Sequence, residues 1–126
     1  MPQRAHHRAA ERLLALERGQ RAEELVYRQL LGSGRLVIAR NWKGGGGELD
    51  LVARSGDKLR FIEVRAWSEV DRDSLHSITP TKVARLRRAA EAFLISYAEP
   101  FSEACFCLAL VRDDVVRWVD HPFDAE

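Results

Sequence analysis

The chain has little of what marks a secreted, membrane-bound or zinc-cluster protein. It holds two cysteines, one methionine and four histidines in 126 residues. Cys105 and Cys107 stand two apart in "ACFCLALV", so on a strand both side chains face one way, as small apolar filler. No further cysteine completes a zinc site, and two thiols this close build no disulfide framework. No apolar run nears the roughly 20 residues that span a bilayer, and "MPQRAHHRAAERLLALERG" has no apolar signal-peptide core. The expectation is a protein of the reducing cytoplasm with no membrane partner. Net charge is missing too: 20 basic and 19 acidic residues leave +1. Any basic surface that attracts nucleic acid therefore has to be local.

What remains is 46% hydrophobic and 31% charged, proportions of an ordinary folded domain long enough for one core. Residues 1–18 are helix-friendly but crowded with Arg and Glu, and are expected as an N-terminal helical extension with His6 and His7 solvated. The α/β domain proper is expected over 19–126. A helix follows Gly19, with Ala22, Leu25, Val26 and Leu30 at helical spacing and "GSG" at Gly32–Gly34 as its stop. Helical geometry puts Glu23 on the edge of that apolar stripe and turns Glu24 outward.

"RLVIARNW" reads as a strand, Gly44–Gly47 as a flexible connection, and "ELDLVAR" and "KLRFIEVRA" as two strands joined at Ser55–Asp57. Residues 68–78 are polar and aperiodic, hence a loop, with His76 on the surface. A second helix opens at Thr79 (N-cap) and Pro80, and its stripe is Val83, Leu86, Ala90, Phe93, Leu94 and Tyr97. "CFCLALVR" and "VVRWV" close the chain around Asp113–Asp114. The order α-β-β-β-α-β-β predicts one mixed α/β domain, a central sheet flanked by helices.

Strand alternation puts Glu48, Asp50 and Val52 on one face, and Leu59, Phe61, Glu63 and Arg65 on one face of the next strand. A two-residue turn at Gly56–Asp57 sets Asp50 opposite Glu63. Like charges so placed repel unless a cation lies between them, and a hard ion such as Mg²⁺ prefers carboxylate and carbonyl oxygens. A basic residue two positions on can then stabilise charge building on a phosphate. The plain alternative is that both acids face solvent, paired with Arg54, Arg65 or Lys58.

Taken together, "GQRAEELVYRQLL", "LVIARNWKGGGGELDLVAR", "LRFIEVRAW" and "ITPTKVARLRRAAEAFL" resemble the small bacterial YraN-like family of predicted endonucleases. That family is related to Holliday-junction resolvases and to the PD-(D/E)xK nuclease superfamily. The likeness runs in order and spacing over roughly residues 19–98. It implies a restriction-endonuclease-like fold, Mg²⁺ or Mn²⁺ as cofactor, and DNA as substrate, cut by a homodimer as resolvase-like enzymes do. It implies Asp50 and Glu63 as metal ligands, the Val64 carbonyl as a third, and Glu23 approaching the metal through water. Glu48 is shared with the family in a structural or peripheral place.

Two departures stand out. Arg65 occupies the family's lysine position; it keeps the charge and can grip phosphate bidentately but cannot act as a base. Cys105-Phe106-Cys107 stands where the family shows R-F-D, so a basic and an acidic residue are lost together. Lys82 is a candidate for a migrated catalytic lysine. With Arg85 and Arg88 it forms either a phosphate-contacting ridge or a solvated helix face. Lys43 and Trp42, beside the glycines, join the candidate nucleic-acid surface; Trp42 and Trp67 either stack on bases or pack at the rim. Three functions follow: a metal-dependent endonuclease on branched, flapped or single-stranded DNA; a nuclease-fold module that binds DNA or a partner without cutting; and a structural protein with surface ion pairs.

Overall fold

The computed structural model describes residues 2–66 and 78–123, with side chains from residue 8 onward. The expected loop over 68–78 falls almost wholly outside these residues, as do Trp67 and His76. Helix α1 spans Pro2–Gly32 and β1 Leu36–Gly44; β2 spans Gly47–Ser55 and β3 Lys58–Ala66. Helix α2 spans Pro80–Ser96, β4 Glu103–Arg112 and β5 Val115–Asp120. This is the expected order, one mixed α/β domain.

The five strands lie side by side in chain order. All neighbours run antiparallel except β3 and β4, which are parallel. Two strands in the same direction need a crossover between them, and α2 lies in it. Each face of the sheet is covered by one helix. Ala22, Val26 and Leu30 of α1 pack on Leu51, Ala53, Ile62, Cys107 and Ala109. On the other face Leu86, Ala89, Ala90 and Phe93 of α2 meet Leu49, Val52 and Phe61. Cys107 is fully buried and Cys105 packs beside it on the α1 face, as filler should.

Two expectations are corrected. The helix expected to begin after Gly19 is continuous with the helical extension before it: α1 is one helix of 31 residues that runs straight through Gly19. A single glycine costs about 1 kcal/mol in a helix, too little to stop one with good helix formers on both sides. The second correction concerns the glycines. Gly44–Gly47 is no flexible link but a tight hairpin, with Gly44 paired to Gly47. Gly45 and Gly46 turn it at φ +62° and +82°, the left-handed pair that a two-residue hairpin turn requires. The hairpin also lies flat against α2. A Cβ on Gly47 would stand 2.3 Å from the Arg85 carbonyl oxygen, and one on Gly45 2.5 Å from that of Arg88.

The start of α2 is as expected. The Thr79 hydroxyl accepts from the Lys82 N–H at 3.1 Å, and Pro80 follows the cap. Its far end is tied to the sheet by Arg54 of β2, whose guanidinium donates to the Tyr97 hydroxyl and the Pro100 carbonyl, both at 2.7 Å.

Candidate metal and nucleic-acid site

The site forms where the sheet splits. Strands β2 and β3 pair from Ser55–Lys58 to Leu51–Ile62, positions that sum to 113, as the two-residue turn requires. Asp50 and Glu63 are the next pair in this register, and there the ladder stops. Beyond it β2 stays with β1 as far as Gly47, and β3 with β4 as far as Ala66. The backbone group left open by this fork is satisfied by a side chain: the Val64 N–H donates to Asp50 Oδ2 at 2.9 Å.

A break in side-chain alternation on β1 and β2 accompanies the fork. Asn41 stands across from Asp50 in the β1–β2 register and holds a left-handed φ of +48°, which Asn tolerates better than most residues. Strand alternation breaks on both strands at this pair. Ala39 and Trp42, three apart, both face α2, and so do Leu49 and Val52.

Glu63 is the one charged side chain in the buried set of the described residues. Burial, and then the facing Asp50 carboxylate, push its pKa from 4.5 up to about 7. Asp50 is raised as well, chiefly by burial, against the opposing pull of the Val64 N–H and a hydrogen bond from Glu63. Burial and mutual repulsion thus favour the protonated form of each carboxyl more than in a separate, solvated acid. Glu23 of α1 reaches this field from the other face of the sheet. Its pKa is raised by partial burial and then by the charges of Asp50 and Glu48, with Arg40 opposing. Among the described residues no group of three or more His, Cys, Asp or Glu side chains is gathered closely enough to hold a metal ion by itself. Two facing, largely buried carboxyls are nonetheless hard-oxygen donors. They fit Mg²⁺ or Mn²⁺, ions that complete their shells with water.

Lys82, in the first turn of α2, brings its ammonium to 3.3 Å from Glu63 Oε1. Sequence spacing marked Lys82 as a helix-face cation, but its tie to Glu63 came from the tertiary fold. Beside it opens a cavity of about 550 Å³, lined by Lys43, Gly46, Gly47, Glu48, Lys82 and Arg85 among others. The expected cations Lys43, Lys82 and Arg85 therefore share one opening. Arg88, one turn further along α2, is exposed but absent from its lining. Trp42 is half-buried, its ring edge-on to Phe93 at 5.4 Å and closed over Gly44, so its packing is that of the rim. Arg65 lies two residues beyond Glu63, half-buried, beside Leu110 of β4 in register.

The missing R-F-D pair has a counterpart from other strands. Arg60 of β3 and Asp120 of β5 form an ion pair at 3.5 Å. Both reach Cys107: the thiol donates to Asp120 Oδ1 at 3.4 Å, and Arg60 Nη1 lies 3.8 Å from the sulfur. Basic and acidic groups thus stand at the two cysteines, supplied by the neighbours on either side.

No helix among the described residues is long and apolar enough to cross a membrane. The sequence model of the family described as "Uncharacterised protein family UPF0102" matches residues 22–117. A UPF0102 protein of Dechloromonas aromatica is 36% identical over 110 residues, 86% of this chain and 90% of the relative. One of Methylocella silvestris is 36% identical over 118 residues, 90% of each. A third, of Acidothermus cellulolyticus, is 40% identical over 102 residues, 78% of this chain and 77% of the relative. The match takes in both arms of the fork, the glycine hairpin and all of α2, and the chain belongs to the UPF0102 family, the YraN-like group.

Proposed function

We propose that the protein is a divalent-cation-dependent endonuclease that cuts branched, flapped or single-stranded DNA in the cytoplasm. The observation that carries this reading is the fork, where two facing carboxylates are largely withdrawn from water and Lys82, paired with Glu63, also lines a cavity with Lys43 and Arg85. A carboxylate pair of this kind costs folding free energy and adds nothing to the core, which is the usual mark of a working site.

Asp50 and Glu63 would hold Mg²⁺ or Mn²⁺, with the Val64 carbonyl as a third oxygen and Glu23 acting through water. The ion supplies Lewis-acid polarisation of a phosphoryl oxygen and a more acidic bound water. The chain's own groups do the rest. Lys43 and Arg85 bind successive backbone phosphates and set the strand's position along the glycine hairpin, with Arg88 and Trp42 at the margin. Arg65 stabilises negative charge as it builds on the phosphate, and being permanently protonated it serves as an electrostatic clamp and not as a base. Two-fold symmetric junctions call for a homodimer, each copy cutting one strand.

Arg65 and the Cys105-Phe106-Cys107 segment favour a second reading, a fork that binds DNA or a partner without cutting. One set of assays separates the two. Junction, flap and single-stranded DNA are incubated with Mg²⁺ or Mn²⁺ and wild type, Asp50→Ala or Glu63→Ala. The endonuclease reading expects metal-dependent cleavage by wild type and a loss of at least about a hundredfold in each variant. Salt-sensitive DNA binding that survives Asp50→Ala, with no cleavage of any substrate, selects the binding module.

A further inference from the structure

Lys82 is in the wrong place for its helix. The first turn of α2 contains no acidic residue and does contain this lysine, although the positive end of the helix dipole disfavours a cation there. The Thr79 cap and Pro80 hold that turn in register, so the position is built and not incidental. What compensates the lysine is Glu63, 7% exposed, against which the 44% exposed Lys82 side chain rests at 3.3 Å. Lys82 also lines the cavity. An ammonium has three donors on a flexible stem, enough to serve the carboxylate or a group in the cavity without moving the backbone.

We propose that Lys82 is a tethered counter-ion: its ammonium neutralises Glu63 while no divalent ion is bound, and passes to a phosphate of the DNA strand once one is. The inference rests on the reading of Asp50 and Glu63 as the ion's carboxylates. A buried carboxylate needs a cation whenever it is ionised, and a strand in the cavity needs one only when the site is loaded. One lysine reaching both partners couples the two events. It is a positioning residue for the ion site and a ligand for the strand, distinct from Lys43 and Arg85, which have no ion pair to Glu63 among the described residues.

Manganese titration calorimetry on the full chain tests this, with wild type, Lys82→Met, Lys82→Gln and Lys43→Met. The side chain is nearly half exposed, so folded variants are expected; two neutral replacements guard against a local distortion in either. Removing the competing ammonium should tighten Mn²⁺ binding by about tenfold in both Lys82 variants and leave Lys43→Met unchanged. Fluorescent flap DNA should then bind Lys82→Met several-fold more weakly than wild type with Mn²⁺ present, and equally well without it. Unchanged or weaker Mn²⁺ binding in both Lys82 variants overturns the proposal while leaving the carboxylate site intact. Failure of wild type and variants alike to bind Mn²⁺ overturns the carboxylate reading itself, and this inference with it.

Discussion

Glu63 combines burial, a facing acid and a neighbouring cation, and its protonation links the site to folding. Its folded pKa lies near 7 against 4.5 for the free group, so the folded chain binds a proton more tightly than the unfolded chain. The stabilising contribution is fully present below about pH 4.5 and is lost as pH rises through 7, by at most roughly 3 kcal/mol. Asp50, raised in the same direction, adds to the trend. Urea unfolding of Glu63→Gln between pH 5 and 8 should show a flatter pH dependence than wild type, and Mn²⁺ should restore wild-type stability at the alkaline end. Cys107 differs in kind. Burial, and then its bond to Asp120, push the thiol up to about 12, so thiolate is scarce at neutral pH. Ellman's reagent at pH 8 should leave Cys107 unmodified in the folded chain and react with it at once in 6 M guanidinium.

At the scale of elements, the β1–β2 hairpin and α2 form one unit whose spacing is set by glycine. Gly47→Ala places a methyl group against the rigid Arg85 carbonyl, and should cost about 2 kcal/mol or more in urea unfolding. It should also narrow the cavity that Gly47 and Arg85 both line, weakening DNA binding. Gly46→Ala meets open space but must hold φ +82°, so its penalty of about 1 kcal/mol is conformational and spares DNA binding. Asn41, at φ +48° opposite Asp50, makes a further pair of variants. Asn41→Gly should fold as well as wild type. Asn41→Val should lose about 1–2 kcal/mol and bind Mn²⁺ more weakly, because a β-branched residue there resists the left-handed φ opposite Asp50.

For the whole molecule, the features readable in the sequence were the local ones. Thr79-Pro80 announced the start of α2, the Gly56-Asp57 turn set the β2–β3 register, and that register put Asp50 opposite Glu63. Glu23 could be placed at the margin of α1's apolar stripe because helical spacing alone decides it. What stayed hidden depends on contacts between distant segments. Gly44–Gly47 look like a linker until α2 lies against them, since the carbonyls of Arg85 and Arg88 exclude a side chain at Gly47 and Gly45. Gly19 looks like a boundary because composition changes there, whereas the helix responds only to the small cost of one glycine. Lys82 reads as a catalytic lysine, a phosphate contact or a solvated cation, with nothing in its neighbouring sequence to choose; its acidic partner is 19 positions away on β3. Arg60 and Asp120 flank two cysteines only once three strands are aligned.

The Val64 amide, whose proton is held by the Asp50 carboxylate and not by a neighbouring strand, is in effect a spectroscopic probe built into the fork. Its hydrogen bond weakens whenever Asp50 is protonated or turns toward another partner. The chemical shift of that one backbone proton, and its rate of exchange with deuterium, should therefore follow the occupancy of the site directly. A resonance that moves with added Mn²⁺'s diamagnetic substitute Mg²⁺, and stays still in Asp50→Asn, would report on loading without any DNA being cut.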